Sequence, residues 1–214
     1  WGYNLMNLLI KNAKIVSNGI LEKDIKDIYI ENGIIKKIDK NINIEDVKIV
    51  DAKNKYVLPG FIDIGCKIFE NGYENKDNIK KLTEAGSKGG FTTIITSSAA
   101  KPIVDDKTVV EYIHSKCKGF KNINLYPLGN MTKGGEGKKI SEIGEMILTG
   151  VVAISDGGKP IEDTNLLRDI FLYSRMFDIT VMTTLIEPNL CKNGTVNYGC
   201  MATKLGLVGI PREA

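Results

Sequence analysis

From Gly60 onward this chain alternates between short apolar runs and amphipathic stretches, and that alternation constrains the fold more than any other feature. FIDIGCKIF (61–69), FTTIITSSA (91–99), INLYPLGNM (123–131), VVAISD (151–156) and ITVMTTLI (179–186) each read as a strand. Between and after them, NKDNIKKLTEAGSKGG, DDKTVVEYIHSKC, ISEIGEMILTG, DTNLLRDIFLYSRMF and YGCMATKLGL read as helices. Asp77 or Asn75 and Asp163 are the expected N-caps, and Gly89-Gly90 is a helix stop. Apolar strands joined by crossover helices predict a parallel sheet covered on both faces. The expected class is α/β, closing as a (β/α)8 (TIM) barrel, with a doubly wound sheet as the alternative. The G-x-G-x-x-G turn of a dinucleotide-binding fold is absent. A whole barrel takes about 250 residues, so residues 58–214 are expected to supply only about its first five βα units.

Residues 6–57 read differently, as a small β-sandwich domain segment. LLIKNAKIV and GILEKDIKDIYI are strand-like, and IYIENGIIKKI is a hairpin whose Asn32-Gly33 fits a type I′ turn. Asn18-Gly19 marks a second turn, and VKIVDAKNKYVLPG a further strand. Met6 is the expected native start, with residues 1–5 as added or upstream sequence.

Composition narrows the function classes. A net charge of +3, with lysines interleaved among acids, gives solvated faces and no basic stripe for nucleic acid. No apolar run is long enough to span a bilayer. Cys66, Cys117, Cys191 and Cys200 lie far apart without a C-x-x-C pair, which argues against a structural zinc site or a disulfide scaffold and for reduced thiols in the cytoplasm. His114 is the sole histidine. It sits on a helix whose Val109, Val110, Ile113 and Cys117 share a face, and it reads as a surface or boundary residue. A mechanism needing several imidazoles from this chain is excluded.

The strand 61–69 raises a problem. A strand ending in a polar turn before a helix is where α/β enzymes keep their chemistry. Yet its end offers Gly65 and Lys67, a poor metal site and a poor base.

The segment VLPGFIDIGCKIFENGYENKDNI (57–79) resembles the first barrel strand of the dihydroorotases, in the cyclic amidohydrolase superfamily, where the pattern runs P-G-x-x-D-x-H-x-H-L-R-E-P-G. The resemblance continues through AGSKGGFTTII, KPIVD, MTKGGEG, AISDGGKPIED, YSRMFDI and LGLVGIPREA, and covers the chain from Met6 onward. It implies a zinc enzyme that hydrolyses the cyclic amide bond of dihydroorotate in pyrimidine biosynthesis. The H-x-H imidazoles that hold the family's zinc fall on Gly65 and Lys67. The arginine that grips the substrate carboxylate falls on Phe69, and a substrate-contacting asparagine on Ala99. The second aspartate of S-D-D-G, a metal ligand, falls on Gly157, so that only Asp156 remains. The next metal-binding histidine falls on Thr184. The last histidine and the aspartate base belong to strands six and eight, beyond this chain. The ligands are lost while the turn glycines remain, which implies a scaffold that has shed its catalysis, with no catalytic residue and no zinc.

Strand alternation places Gly65 and Lys67 on the interior face and Cys66 opposite. Lys67 is expected to fill the vacated metal position by pairing with Asp63, Glu70 or Asp156; Asp63, Lys67 and Asp156 are the polar residues of that pocket. TKGGEGKK (132–139) lacks P-loop spacing and reads as a mobile rim loop. The expected role is structural or regulatory, with a second copy of the chain or, by family analogy, aspartate transcarbamoylase as partner. An active amidohydrolase with an altered metal site and a small-molecule binding module are the alternatives.

Overall fold

The computed structural model describes residues 7–67, 77–118 and 123–214. Two compact units divide the chain, residues 1–60 and 61–214.

In the first unit, β1 (Leu8–Ser17), β2 (Ile20–Glu31), β3 (Ile34–Asp39) and β4 (Lys48–Asp51) form a sheet in the order β3-β2-β1-β4, with β5 (Tyr56–Val57) also paired to β1. Both hairpin turns have the expected chemistry. Asn18-Gly19 has φ of 49° and 75°, and Asn32-Gly33 has 51° and 76°. Two successive positive φ values make the type I′ turn that matches strand twist. The single strand expected near residue 50 is broken in two. A turn closes where the Lys55 N–H meets the Ala52 carbonyl at 2.8 Å, and β4 and β5 then run parallel to successive parts of β1. The buried Asp27 fixes the irregular stretches by accepting the backbone N–H groups of Asn12 (2.9 Å) and Ile42 (3.0 Å). Ala13, Ile15, Ile28 and Ala52 form the core. Residues 7–57 thus carry one five-stranded sheet among the described residues; residues 1–6 lie outside them.

In the second unit, strands and helices alternate: β6 (Phe61–Cys66), α1 (Asp77–Lys88), β7 (Phe91–Thr96), α2 (Lys107–Cys117), β8 (Asn124–Tyr126), β9 (Gly129–Asn130), α3 (Ile143–Thr149), β10 (Ala153–Ser155), α4 (Thr164–Arg175), β11 (Thr180–Met182), β12 (Val196–Asn197), α5 (Cys200–Leu205) and β13 (Gly209–Ile210). Two three-stranded parallel sheets result, β6-β7-β8 and β9-β10-β11, and a short parallel pair β12-β13. The run 123–131 is one strand in the sequence and two in the structure. Pro127 has no N–H to give a ladder, so β8 pairs with β7 before it and β9 pairs with β10 after it. Strands therefore follow one another across the sheets in chain order. A doubly wound sheet reverses its strand order at a switch point; no reversal occurs here.

Two of the helices, α2 and α4, begin where an aspartate caps them. The Asp106 carboxylate accepts the Val109 N–H at 3.0 Å, and Asp163 accepts those of Asn165 (2.9 Å) and Leu166 (3.2 Å). Asn75 lies outside the described residues, and Asp77 is the first residue of α1. Val110, Ile113, Met131, Ile143, Met146, Ile154 and Ile170 are all fully buried and form the core under the sheets. The face predicted for α2 is the buried one: Val110 and Ile113 inside, Val109 and Cys117 packed at the margin.

Candidate functional site

The carboxyl ends of β7, β9, β10 and β11 meet in a buried polar cluster. At its centre, Asp156 follows β10 and is 5% exposed. Its carboxylate takes four hydrogen bonds. The Thr184 hydroxyl (3.0 Å) and the Gly158 N–H (2.8 Å) donate to Oδ1, and the Thr183 hydroxyl (3.0 Å) and the Thr184 N–H donate to Oδ2. A buried carboxylate needs this many partners to offset the water it has lost. Every donor is a hydroxyl or backbone amide, and Thr183 and Thr184 both come from the end of β11.

Beside it, Gly157 has φ of +69° and is packed closely. A Cβ there would stand 3.0 Å from the Ala99 Cβ, and 3.2 Å from both Asn130 Nδ2 and Ser98 Oγ. Ser98 and Asn130 are buried. Asn130 is held in turn by the Thr132 N–H (3.0 Å) and hydroxyl (3.4 Å), which donate to its Oδ1. So the structure brings Ala99 against Gly157 and Asp156 against Thr184. Sequence reasoning named those residues without seeing the pairs, and missed Ser98, Asn130 and Thr183. Their one signal is position, since each lies at a strand's carboxyl end.

The end of β6 is built otherwise. Ile64 aligns with Ile95 and Cys66 with Thr96, so Gly65 is an extra residue bulged out of the ladder, with φ of +87°. The bulge interrupts the alternation that placed Cys66 opposite the interior positions. Cys66 instead feels the Asp63 charge, which together with burial holds its thiol above the usual range, burial being the larger cause. A Cβ on Gly65 would meet nothing within 4 Å among the described residues. Lys67 is exposed, and no ion pair with Asp63 or Asp156 forms among the described residues. The expected substitution of its ammonium for the metal does not occur at Asp156, whose lone pairs are already taken by Thr183, Thr184 and the Gly158 N–H. Phe69 and Glu70 lie outside the described residues.

One other expectation changes, and His114 takes the boundary position expected. The segment 132–139 is a pinned turn: the Gly134 N–H donates to Asp105 (2.7 Å), the Gly137 N–H to the Thr132 hydroxyl (3.1 Å), and Lys133 pairs with Glu142 (3.1 Å). His114 is half-buried, with Nε2 enclosed 2.9 Å from where a Gly150 Cβ would stand. Gly150, at φ +112°, ends α3 and leaves the room that the imidazole occupies.

A zinc ion requires about four N, S or O donors converging at about 2.0–2.3 Å. At the positions the resemblance assigns to ligands, Gly65 and Gly157 have no donor atom, Lys67 is an ammonium, and the Thr184 hydroxyl is spent on Asp156. The space at Gly157 is filled by Ala99, Ser98 and Asn130. Among the described residues no three His, Cys, Asp or Glu side chains gather as a metal site. These residues do not fit the family's zinc.

Comparison with known proteins places this geometry in context. A family model described as dihydro-orotase-like matches residues 54–214. A dihydroorotase of Caldanaerobacter subterraneus subsp. tengcongensis is 40% identical over 209 residues, covering 98% of this chain and 48% of the relative. One of Acetivibrio thermocellus is 40% identical over 207 residues, covering 97% and 49%. The chain thus spans about half the length of the relatives it matches. Among solved structures, an L-hydantoinase (dihydropyrimidinase) from Arthrobacter aurescens superposes with a TM-score of 0.70 at 18% identity, over 88% of this chain and 42% of that one. A dihydroorotase crystal structure superposes at 0.55 and 14% identity, over 85% and 52%. Those likenesses establish the fold, an α/β fragment of the amidohydrolase TIM-barrel type.

Proposed function

This chain belongs to the dihydro-orotase-like family, and on that premise we propose that it is a catalytically silent member with a structural or regulatory role in pyrimidine biosynthesis. The observation that carries the reading is the replacement of the ligand set by Gly65, Lys67, Gly157 and Thr184, with Thr184 hydrogen-bonded to Asp156 where a histidine would have faced a metal. Hydrolysis of a cyclic amide in this family relies on a metal-activated water, formed because the metal brings the pKa of that water to about 7. Nothing among the described residues substitutes for that activation: Asp156 is saturated with donors and Lys67 stands apart.

The second unit is read as the first five βα units of a (β/α)8 barrel. A cytoplasmic location fits its free thiols and the absence, among the described residues, of any helix long and apolar enough to cross a membrane. Its role is exercised on a partner, either a second copy or aspartate transcarbamoylase.

The test is dihydroorotate turnover in both directions, with elemental analysis, on protein prepared beside an Asp156→Ala control. The expected result is no turnover above the control and substoichiometric zinc. Turnover abolished by the control substitution or by a chelator overturns the reading.

A further inference from the structure

We propose that Asp156, the aspartate that remains beside the ligand position now held by Gly157, acts as a clasp between β10 and β11, and that closure of the space at Gly157 makes the loss of the metal site resistant to simple reversion. The inference rests on the catalytically silent reading of the same site.

The geometry carries it in three steps. A buried carboxylate without a cation or hydrogen-bond donors would be left uncompensated, at a cost of several kcal/mol. Here the deficit is met from one direction: Thr183 and Thr184, consecutive residues past the end of β11, supply three of the four donors. The fourth, the Gly158 N–H, closes a tight turn after β10. The clasp therefore continues the ladder beyond its last backbone bond, where the Asp156 N–H donates to the Met182 carbonyl at 3.3 Å. Thr184 occupies the position that the resemblance assigns to a histidine, and its hydroxyl adds one bond to a carboxylate that its backbone N–H, common to any residue, already reaches.

The second step is the filling at Gly157. An aspartate there would have to adopt φ +69° and would bring its Cβ to 3.0 Å from the Ala99 Cβ. Ala99, on the same reading, stands where the family has a substrate-contacting asparagine. The two lost functions now pack against each other.

The third step is directional. Restoring a histidine at 184 would remove a hydroxyl from Asp156 while restoring only one ligand, so single reversions lose the clasp without gaining the metal.

Unfolding midpoints of the intact protein test the clasp apart from any activity. Asp156→Asn, which sets an amide among donors, should lower the thermal midpoint by about 5 °C, and Thr184→Val by about 3 °C. Thr184→Ser, which keeps the hydroxyl, should stay within about 1 °C of the parent. The double variant Asp156→Asn with Thr184→Val should lose less than the sum of the two. The Gly157→Asp, Thr184→His variant, titrated with zinc against a chromogenic chelator, should take up no stoichiometric zinc. Unchanged midpoints in Asp156→Asn and Thr184→Val overturn the clasp. Stoichiometric zinc in the revertant at an undiminished midpoint overturns the filling, whereas a revertant too unstable to titrate supports it. Zinc or turnover in the parent protein refutes the silent reading and leaves the midpoints to judge the clasp on their own.

Discussion

The end of β6 and the ends of β10 and β11 hold the positions that the family resemblance assigns to one site, and they are built in opposite ways. At β6 the chain is open among the described residues: Gly65 is bulged, a Cβ there would meet nothing within 4 Å, and Lys67 stands exposed. At β10 and β11 it is closed: a Cβ on Gly157 would crowd three neighbours and Asp156 is bound four times. Burial decides the difference. An exposed position that loses a ligand returns to water at little cost, while a buried carboxylate must find new donors or destabilise the fold.

Thiol labelling gives the widest contrast across this divide. Burial pushes the Cys117 thiol up to about 11, so that about 0.1% of it is thiolate at pH 8. Cys66, beside the open end of β6, should be alkylated at least about tenfold faster than Cys117, as read by peptide mass spectrometry. The rate at Cys117 should climb about tenfold per pH unit towards 11. The unfolded chain releases this proton first, from about 9.0, so stability falls as pH rises between 9.0 and about 11. Equal labelling of the two thiols would show that the end of β6 is as closed as the core.

Asp156→Ala should follow in size, with a loss of about 3 kcal/mol in urea unfolding, because it leaves buried donors unmatched. Gly157→Ala should cost about 2 kcal/mol, combining a left-handed backbone with a 3.0 Å approach to Ala99. Gly65→Ala shares the backbone penalty without the clash and should cost about 1 kcal/mol. Lys67→Met should be smallest, within about 0.5 kcal/mol. A Lys67 effect matching that of Asp156 would erase the distinction between the two halves.

What was legible in the sequence was whatever local chemistry decides. Asn18-Gly19 and Asn32-Gly33 adopt the turn their residues favour, Asp163 caps its helix, and the apolar face of α2 is the face buried. Two errors had local signals that were passed over. Pro127 inside a strand forecast the break between β8 and β9, and Gly65 inside a strand forecast a bulge. The candidate site was legible as residue identities and not as contacts. That Thr184 would serve Asp156, or that Ala99 would fill against Gly157, depends on residues 28 and 58 positions apart meeting at strand ends. His114 is the boundary residue expected, but the crowding at its Nε2 depends on Gly150 at the end of another helix.

The proline break has a consequence for how the second unit comes apart. Because the third strand gives its first half to β7 and its second half to β10, no residue belongs to both ladders. Strand separation that begins at β11 can run through β10 and stop at Leu128 without opening a bond of β8. The wall thus behaves as two fastened panels sharing a seam, and amide exchange should divide at that seam into two cooperative blocks. The clasp at Asp156 belongs to only one of them, so cutting it should loosen the β9-β10-β11 panel and leave β6-β7-β8 protected.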